Sequence, residues 1–531
     1  VGGVVQRGVE KLESAVSATF KVKARMGWSG PLPPESAPPR TDPGRVRNRA
    51  GTAEGARPER SFWTRSNASA DPELVAAVRA QLGEDEVEEL LGMCGRCLVG
   101  SLTSAVHVKQ SGGSTFVSTG DIPNMWIRDS TVQIGIYIPR LKKRPALRGM
   151  VEGVIRRQAF YLIQDPYASA FMEEWKKPET MAPHERIIGR GGYVHQRNYE
   201  IDSVGYFLSF LWDYYECGLK YTHRLLEETV VYDAVLAVLN VLKVEQDHEA
   251  HSPYRYSELS RDGKGAFSSR TGMSWTGFRP SDDPATYGYN IAGNMFVAGA
   301  LEKVLKMNEE VWKDDDIETL ATKLLHDITS GIETFGVVDQ QYAYEVDGQG
   351  QHLSIFDDAN IPSLLSAPLL GYSALNLTTY KRTRAALLSP TNKFFFAGKY
   401  LTGMGSPHTP KDYIWPMSLA MQSLTTDSPD ERVDMLRMLR ISHCGTGTMH
   451  ESVHKDRIGQ CTRQWFEWAN AMFVLAVEDA LGVACDGAAE TYMNSTVMEG
   501  VNAATFRTRN GEKPNPSYFN LMEAGIIHDG G

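Results

Sequence analysis

Apolar residues recur at helical spacing in a series of segments along this chain of 531 residues. The first runs from Pro72 to Leu91, with Asp71 placed to cap its start and Pro72 in its first turn. Windows of the same period lie near 146–164, 203–217, 229–246, 289–307, 316–331, 415–425, 429–441 and 464–482. Strand patterns are short and local. Gln341–Ile355 reads as a hairpin, with Asp347-Gly348 turning between YAYEV and QHLSI. Many helices, few strands and no regular strand–helix alternation predict an all-α domain carrying small β-hairpins. No period of about 30–45 residues is visible, which disfavours an ordinary solenoid.

The two ends read differently. Residues 1–59 hold PLPPESAPPR, several Gly, a basic excess and few large apolar side chains after Trp28. This predicts a disordered leader or linker ahead of an ordered domain over 60–482. Its Arg, Ser and Ala content is compatible with organelle targeting, and the initial Val with a processed or partial chain. The tail, 483–531, holds GEKPNPSYFN and ends in HDGG, and no role is legible in it. Sequons at Asn67, Asn376 and Asn494 permit a secretory route without requiring one, so the compartment stays open. No apolar run is long enough to span a membrane.

Charge and cysteine content narrow the function classes. A formal net charge of −10 argues against nucleic acid or an anionic membrane as the main partner. Six Cys are sparse for a disulfide framework in a chain this long. Cys94 and Cys97 form one CxxC in a helical pattern with no second CxxC, so burial on a shared face is expected rather than zinc.

Between the helical windows lie segments dense in Asp, Arg, His and Asn mixed with Trp, Tyr, Phe and Gly. They are Ser118–Ser130 (STGDIPNMWIRDS), Thr276–Tyr289, Phe356–Leu365, Gly403–Pro410, Gly445–Ser452 and Arg463–Asn470. Such loops set on helix ends build sites more often than cores. Asp202 in NYEIDS and Glu451 in MHES each offer a carboxylate. If the fold brings them together across a pocket, they form the pair that glycosidic hydrolysis needs. One protonates the leaving oxygen, and the other activates water or attacks the sugar. The bland readings are that Asp202 caps a helix starting at Ser203 and that Glu451 is a surface carboxylate. Asp121, Asp129 and Asp282 could be caps, and Arg128 with Asp129 a local ion pair. A sugar also needs hydroxyl partners and an apolar face. The candidates are Asp121, Trp126, Arg128, Asp129, Arg279 and Asp282, together with Asp283, Asp358, Asn360, His408, Arg463 and Trp465. Asp282-Asp283 and Asp357-Asp358 could hold calcium, but the Arg-rich setting suits sugar hydroxyls better, and no compact metal-ligand motif appears.

Taken in order, these segments resemble glycoside hydrolase family 125, the exo-acting α-1,6-mannosidases. The likeness runs from about Arg60 to about Leu481. TGDIPNMWIRDS is similar to the family's TGDIPAMWLRDS-type signature, with Asn124 where Ala is common. YEIDS, GFRPSDD, TYGY, DDANIPSLL, GSPHTP, MHES and TRQWFEWAN are similar to its other blocks. The resemblance implies an (α/α)6 barrel with a pocket at one end. It implies a metal-independent, cofactor-free, inverting hydrolase acting on mannose-containing oligosaccharides or N-glycans. It also implies Asp202 as general acid and Glu451 as general base. Glu200 is then placed to raise the pKa of Asp202 by its charge, and His450 to orient Glu451 or cap a helix. The rivals are another helical-toroid enzyme, a glucosidase or glycoside phosphorylase, and a non-catalytic glycan-binding barrel. Oligomeric state is not legible.

Overall fold

The computed structural model describes residues 71–498 apart from 109–112 and 188, with side chains as far as Met493. The 1–59 leader, the domain start near Arg60, the Asn67 sequon and the tail beyond 498 lie outside the described residues, as does the Asn494 side chain.

Helix burial sorts the chain into two layers. Ile127–Gly135, Ile201–Glu216, Ile291–Met307, Pro416–Leu424 and Glu467–Leu481 are buried nearly all round. Asp315–Phe335 buries one stripe only, and Leu377–Leu387 and Pro429–Ile441 are similarly half exposed. The first group forms an inner ring. Ile127–Gly135 packs on Ile201–Glu216 and on Glu467–Leu481, Ile201–Glu216 on Ile291–Met307, and Pro416–Leu424 on Glu467–Leu481. Between Ile291–Met307 and Pro416–Leu424 the chain runs through a buried stretch, 356–370, whose 3-10 turn Ala367–Leu369 packs on Ile291–Met307. Outer helices lie against this ring, among them Glu84–Gly100, Leu147–Gln164, Asp315–Phe335 and Pro429–Ile441, and Thr229–Glu245 packs on Leu147–Gln164 and Asp315–Phe335. The architecture is an (α/α)6 barrel.

The helical windows read from periodicity are present, with moved ends. Asp71 accepts from Glu73 N at 2.9 Å, as its capping role requires. The window 72–91 is two helices, Pro72–Leu82 and Glu84–Gly100, because Gly83 stops the first at φ 77. The hairpin near Asp347 forms between Glu345–Val346 and His352–Leu353. Asp347 Oδ1 accepts from Gln349 N and Gln351 N inside the turn. Its outer half differs, since Gln341–Tyr342 pairs with Val337–Val338 instead.

Cys97 is buried, but Cys94 is more than a buried thiol: it forms a disulfide with Cys485. The chain beyond Leu481 continues into helix Asp486–Met498, which packs on Glu84–Gly100. No helix among the described residues is long and apolar enough to cross a membrane.

Candidate active site

Four inner helices present their N-termini to one end of the barrel. Trp126 precedes Ile127–Gly135, Glu200 precedes Ile201–Glu216, Trp415 precedes Pro416–Leu424 and Phe466 precedes Glu467–Leu481. There a cavity opens. Its polar wall is formed by Arg128, Asp129, Asp282, Asn360, His408, Glu451 and Arg463. Trp126, Trp415, Phe466 and Trp468 supply aromatic surface, and Thr119, Ile122, Pro280 and Ser281 complete it.

Arg128 is the centre of charge. It is 3% exposed and lies over the Trp468 ring at 4.9 Å. Its Nη1 donates to Glu200 Oε2 at 2.5 Å and to Asp202 Oδ2 at 3.2 Å. Asp129 Oδ2 lies 3.5 Å from its Nε and Asp282 Oδ1 3.8 Å from its Nη2. Burial lifts Asp129 and Asp202 to about 6 against the pull of Arg128. Burial lifts Glu200 further still, helped by the Asp282 charge. Asp282 is also desolvated, yet a hydrogen bond from Glu200 and the charge of Arg128 outweigh this and hold it below its ordinary value.

Asp282 reaches the wall from a tight turn. Its amide donates to Arg279 O at 3.0 Å, Arg279 N to Asp283 O at 2.8 Å, and Asn198 Nδ2 to Asp282 O at 3.3 Å. Asp282 sits at φ 67, a left-handed conformation that Asp tolerates better than most residues. Trp126 Nε1 donates to its Oδ1 at 3.2 Å. Glu451 and Arg463 arrive from the two ends of one hairpin, where Ser452 faces Thr462. Arg463 Nη1 lies 3.8 Å from Glu451 Oε1. Met449 N donates to Asn470 Oδ1 at 2.7 Å, which fastens the approach to Glu451 onto an inner helix. Gly120 joins the first motif to the last. A Cβ there would meet Trp465 O at 2.5 Å, which leaves room for Gly alone.

Six residues expected at the sugar are elsewhere. Asp202 is the most consequential of them. Its side chain is 1% exposed, behind Arg128 and off the wall, whereas that of Asp282 is 26% exposed and on it. Nor does Asp202 cap: Glu200 occupies the N-cap position, and Asp202 is in the first turn of a helix starting at Ile201. Asp121 holds Arg463, accepting from its Nε at 2.9 Å. Arg279 is buried against Glu345 at 2.5 Å, so it braces the turn. Asp283 lies 3.1 Å from His408 Nδ1, which raises the His408 pKa. Asp358 accepts from Asn360 N at 2.7 Å and from Tyr344 OH at 3.1 Å. Trp465 turns its ring N–H to Glu467 instead. His450 does not orient Glu451 or cap a helix. Its Nδ1 faces Arg463 O at 2.9 Å and its Nε2 faces His443 O at 3.1 Å. Asp357, half of one calcium alternative, accepts from Leu364 N and Leu365 N. Ser281, Trp415, Phe466 and Trp468 were missed. For the aromatics a signal existed, since each sits at or just before an inner-helix start, as Trp126 does.

Residues 87–477 match the family model of the metal-independent α-mannosidases, glycoside hydrolase family 125. The chain is 33% identical over 443 residues to the meiotically up-regulated gene 157 protein of Schizosaccharomyces pombe, covering 77% of this chain and 85% of that one. It is 36% identical to a solved metal-independent α-mannosidase of Streptococcus pneumoniae, in a non-productive complex with α-1,6-mannobiose. That likeness covers 78% of this chain and 99% of the other, with a TM-score of 0.69. The chain therefore belongs to glycoside hydrolase family 125 and is a metal-independent α-mannosidase.

Proposed function

We propose that this enzyme removes non-reducing terminal α-1,6-linked mannose from oligosaccharides or N-glycans with inversion, using Asp282 as general acid and Glu451 as general base. The observation that carries the reading is that Asp282 and Glu451 stand on the wall of one aromatic-lined cavity, while Asp202 stands behind Arg128. An acid must touch the glycosidic oxygen, so a carboxyl off the wall cannot serve unless the site rearranges. The α-1,6 linkage is supported by the mannobiose held by the Streptococcus pneumoniae relative.

In this mechanism a terminal mannose enters with its ring against the aromatic wall. Asp282 gives a proton to the leaving oxygen as the bond to the anomeric carbon breaks. Glu451 takes a proton from a water attacking the opposite face. Room for that water requires the two carboxyl groups to stand about 6.5–9.5 Å apart with the sugar between them. Arg463, aimed by Asp121, orients Glu451 and the sugar hydroxyls. Asn360 and the unpartnered hydroxyl of Ser281 offer further polar contacts. The test is digestion of α-1,2-, α-1,3- and α-1,6-mannobiose side by side, followed by NMR. The expected result is cleavage confined largely to the α-1,6 isomer, with β-mannose appearing first. Equal rates on all three would refute the linkage, and α-mannose as first product would refute Glu451 as the base.

A further inference from the structure

Glu200 lies against Arg128, off the cavity wall and 1% exposed. Its Oε2 is engaged by Arg128, and its Oε1 receives no N–H or hydroxyl donor. Arg128 ties it to Asp282, donating from Nη1 to Glu200 Oε2 at 2.5 Å with Nη2 3.8 Å from Asp282 Oδ1, and the two carboxyls shift in opposite directions, Glu200 up by burial and the Asp282 charge and Asp282 down beside Glu200 and Arg128. Two carboxyls gathered on one buried guanidinium sort in this way when one keeps a proton beside the other's charge, because ionised carboxylates are acceptors alone and repel one another. Charge counting agrees. One guanidinium faces four carboxyls here, Glu200, Asp202, Asp129 and Asp282, in a site largely closed to water. Full ionisation would leave three uncompensated negative charges, which burial strongly disfavours.

We propose that Glu200 and Asp282 form a carboxyl pair that holds one proton, so that Glu200 is the positioning residue that keeps the acid loaded. The proposal rests on the assignment of Asp282 as acid. At rest the proton is on Glu200, the more deeply buried member. In the productive form it is on Asp282, directed at the cavity, and Glu200 is a carboxylate against Arg128. The like charge of Glu200 then opposes ionisation of Asp282 until the glycosidic oxygen takes the proton. As the bond from the anomeric carbon to the leaving oxygen breaks, the proton passes from Asp282 to that oxygen, and the new bond forms to water. The proton of that water goes to Glu451 and then to solvent, and solvent returns one proton to the pair. The pair loses its last proton at a pH that belongs to both groups. Arg128, Asp129 and Asp202 face the pair closely, and His195, Tyr256 and His408 lie within electrostatic reach.

The test is the pH profile of kcat/KM for Glu200→Gln on α-1,6-mannobiose and on 2,4-dinitrophenyl α-mannoside, whose leaving group needs no proton. A glutamine cannot repel Asp282, and its amide can donate to it, so Asp282 ionises more easily. The alkaline limb on mannobiose is expected to move down by more than about one pH unit. The rate at neutral pH should fall at least about tenfold, one decade per unit above the limb. The aryl mannoside should retain its rate within about threefold. Glu200→Asp, which keeps a carboxyl, should return the limb most of the way to wild type. An unmoved limb in Glu200→Gln, or equal losses on both substrates, overturns the proposal. If Glu200→Gln does not fold, Glu200→Asp decides, since a limb moved down by more than about one pH unit although a carboxyl is kept at 200 overturns it. Asp282→Asn separates the two ideas. If it loses mannobiose and aryl mannoside turnover alike, the assignment of the acid fails. If it loses mannobiose alone while Glu200→Gln leaves the limb in place, only the role of Glu200 fails.

Discussion

Replacing Asp282 and Asp202 in turn by Asn decides which carboxyl is the acid, and the structure gives each a different signature. Asn at 282 keeps the acceptor that receives Trp126 Nε1 and the tight turn around it, but has no proton to give. General acid catalysis contributes about 10²–10⁴-fold, or about 3–5 kcal/mol of barrier. Asp282→Asn should therefore lose that factor on α-1,6-mannobiose and less than about tenfold on 2,4-dinitrophenyl α-mannoside. Asp202→Asn removes a partner 3.2 Å from Arg128 Nη1 but leaves Glu200 at 2.5 Å on the same nitrogen. At an effective dielectric constant of about 20 the lost attraction is about 5 kcal/mol gross. Removing the burial cost of a carboxylate returns much of it, which leaves a net loss of about 1–3 kcal/mol. That loss should appear as a lower melting temperature and a modest rate drop common to both substrates. Steady-state kinetics on the two substrates with thermal melts of each variant make the measurement. A leaving-group-dependent defect in Asp202→Asn, with a uniform one in Asp282→Asn, would refute the inference from wall position to role.

Three further outcomes follow from particular groups. Burial holds Asp129 at about 6 in the fold, against about 3.9 when unfolded. Its neutral form therefore favours the fold, and that stabilisation is complete below about pH 4 and lost as pH rises through about 6. Asp129→Asn should accordingly gain melting temperature relative to wild type between pH 4 and 7, and a constant difference would contradict this. Cys94→Ser or Cys485→Ser opens a loop of 391 residues, worth about 6 kcal/mol in the chain-entropy limit. Each should melt well below wild type under non-reducing conditions, and an unchanged melting temperature would count against the bridge. Prolonged chelation followed by assay should leave turnover unchanged, whereas loss with rescue by one metal would implicate a site such as the Cys444, His450 and Cys461 cluster.

Legibility followed physical visibility. Outer helices such as Pro429–Ile441 and Asp315–Phe335 bury one stripe, so their period is plain in the sequence. Ile127–Gly135 buries all nine residues and carries Arg128, Asp129 and Ser130, so no period marks it, and it read as part of a loop. The break at Gly83 turns on a φ value that composition cannot display. Motif density located the right loops but not the aim of each side chain within them. Asp202 and Asp282 both lie in blocks like those of the family, and only the fold puts one behind Arg128 and the other on the wall. The disulfide was hidden for the same reason, since Cys94 and Cys485 lie 391 residues apart and six cysteines allow many pairings.

The site also explains why so many carboxyls tolerate one another. Four inner helices point their positive N-terminal ends toward the cavity, and Arg128 rises from the first turn of one of them. That concentration of positive potential accommodates Asp129, Glu200, Asp202, Asp282 and Glu451 within one water-poor end of the barrel. It cannot neutralise all of them, so protons stay on those most deeply buried. The proposed mechanism, which needs one protonated and one ionised carboxyl at the same pH, would draw both from this imbalance. Carboxyls buried behind Arg128 are biased toward the neutral form. Glu451 stands on the cavity wall beside the cation of Arg463, outside the group of carboxyls gathered on Arg128, where the proposed mechanism needs its base.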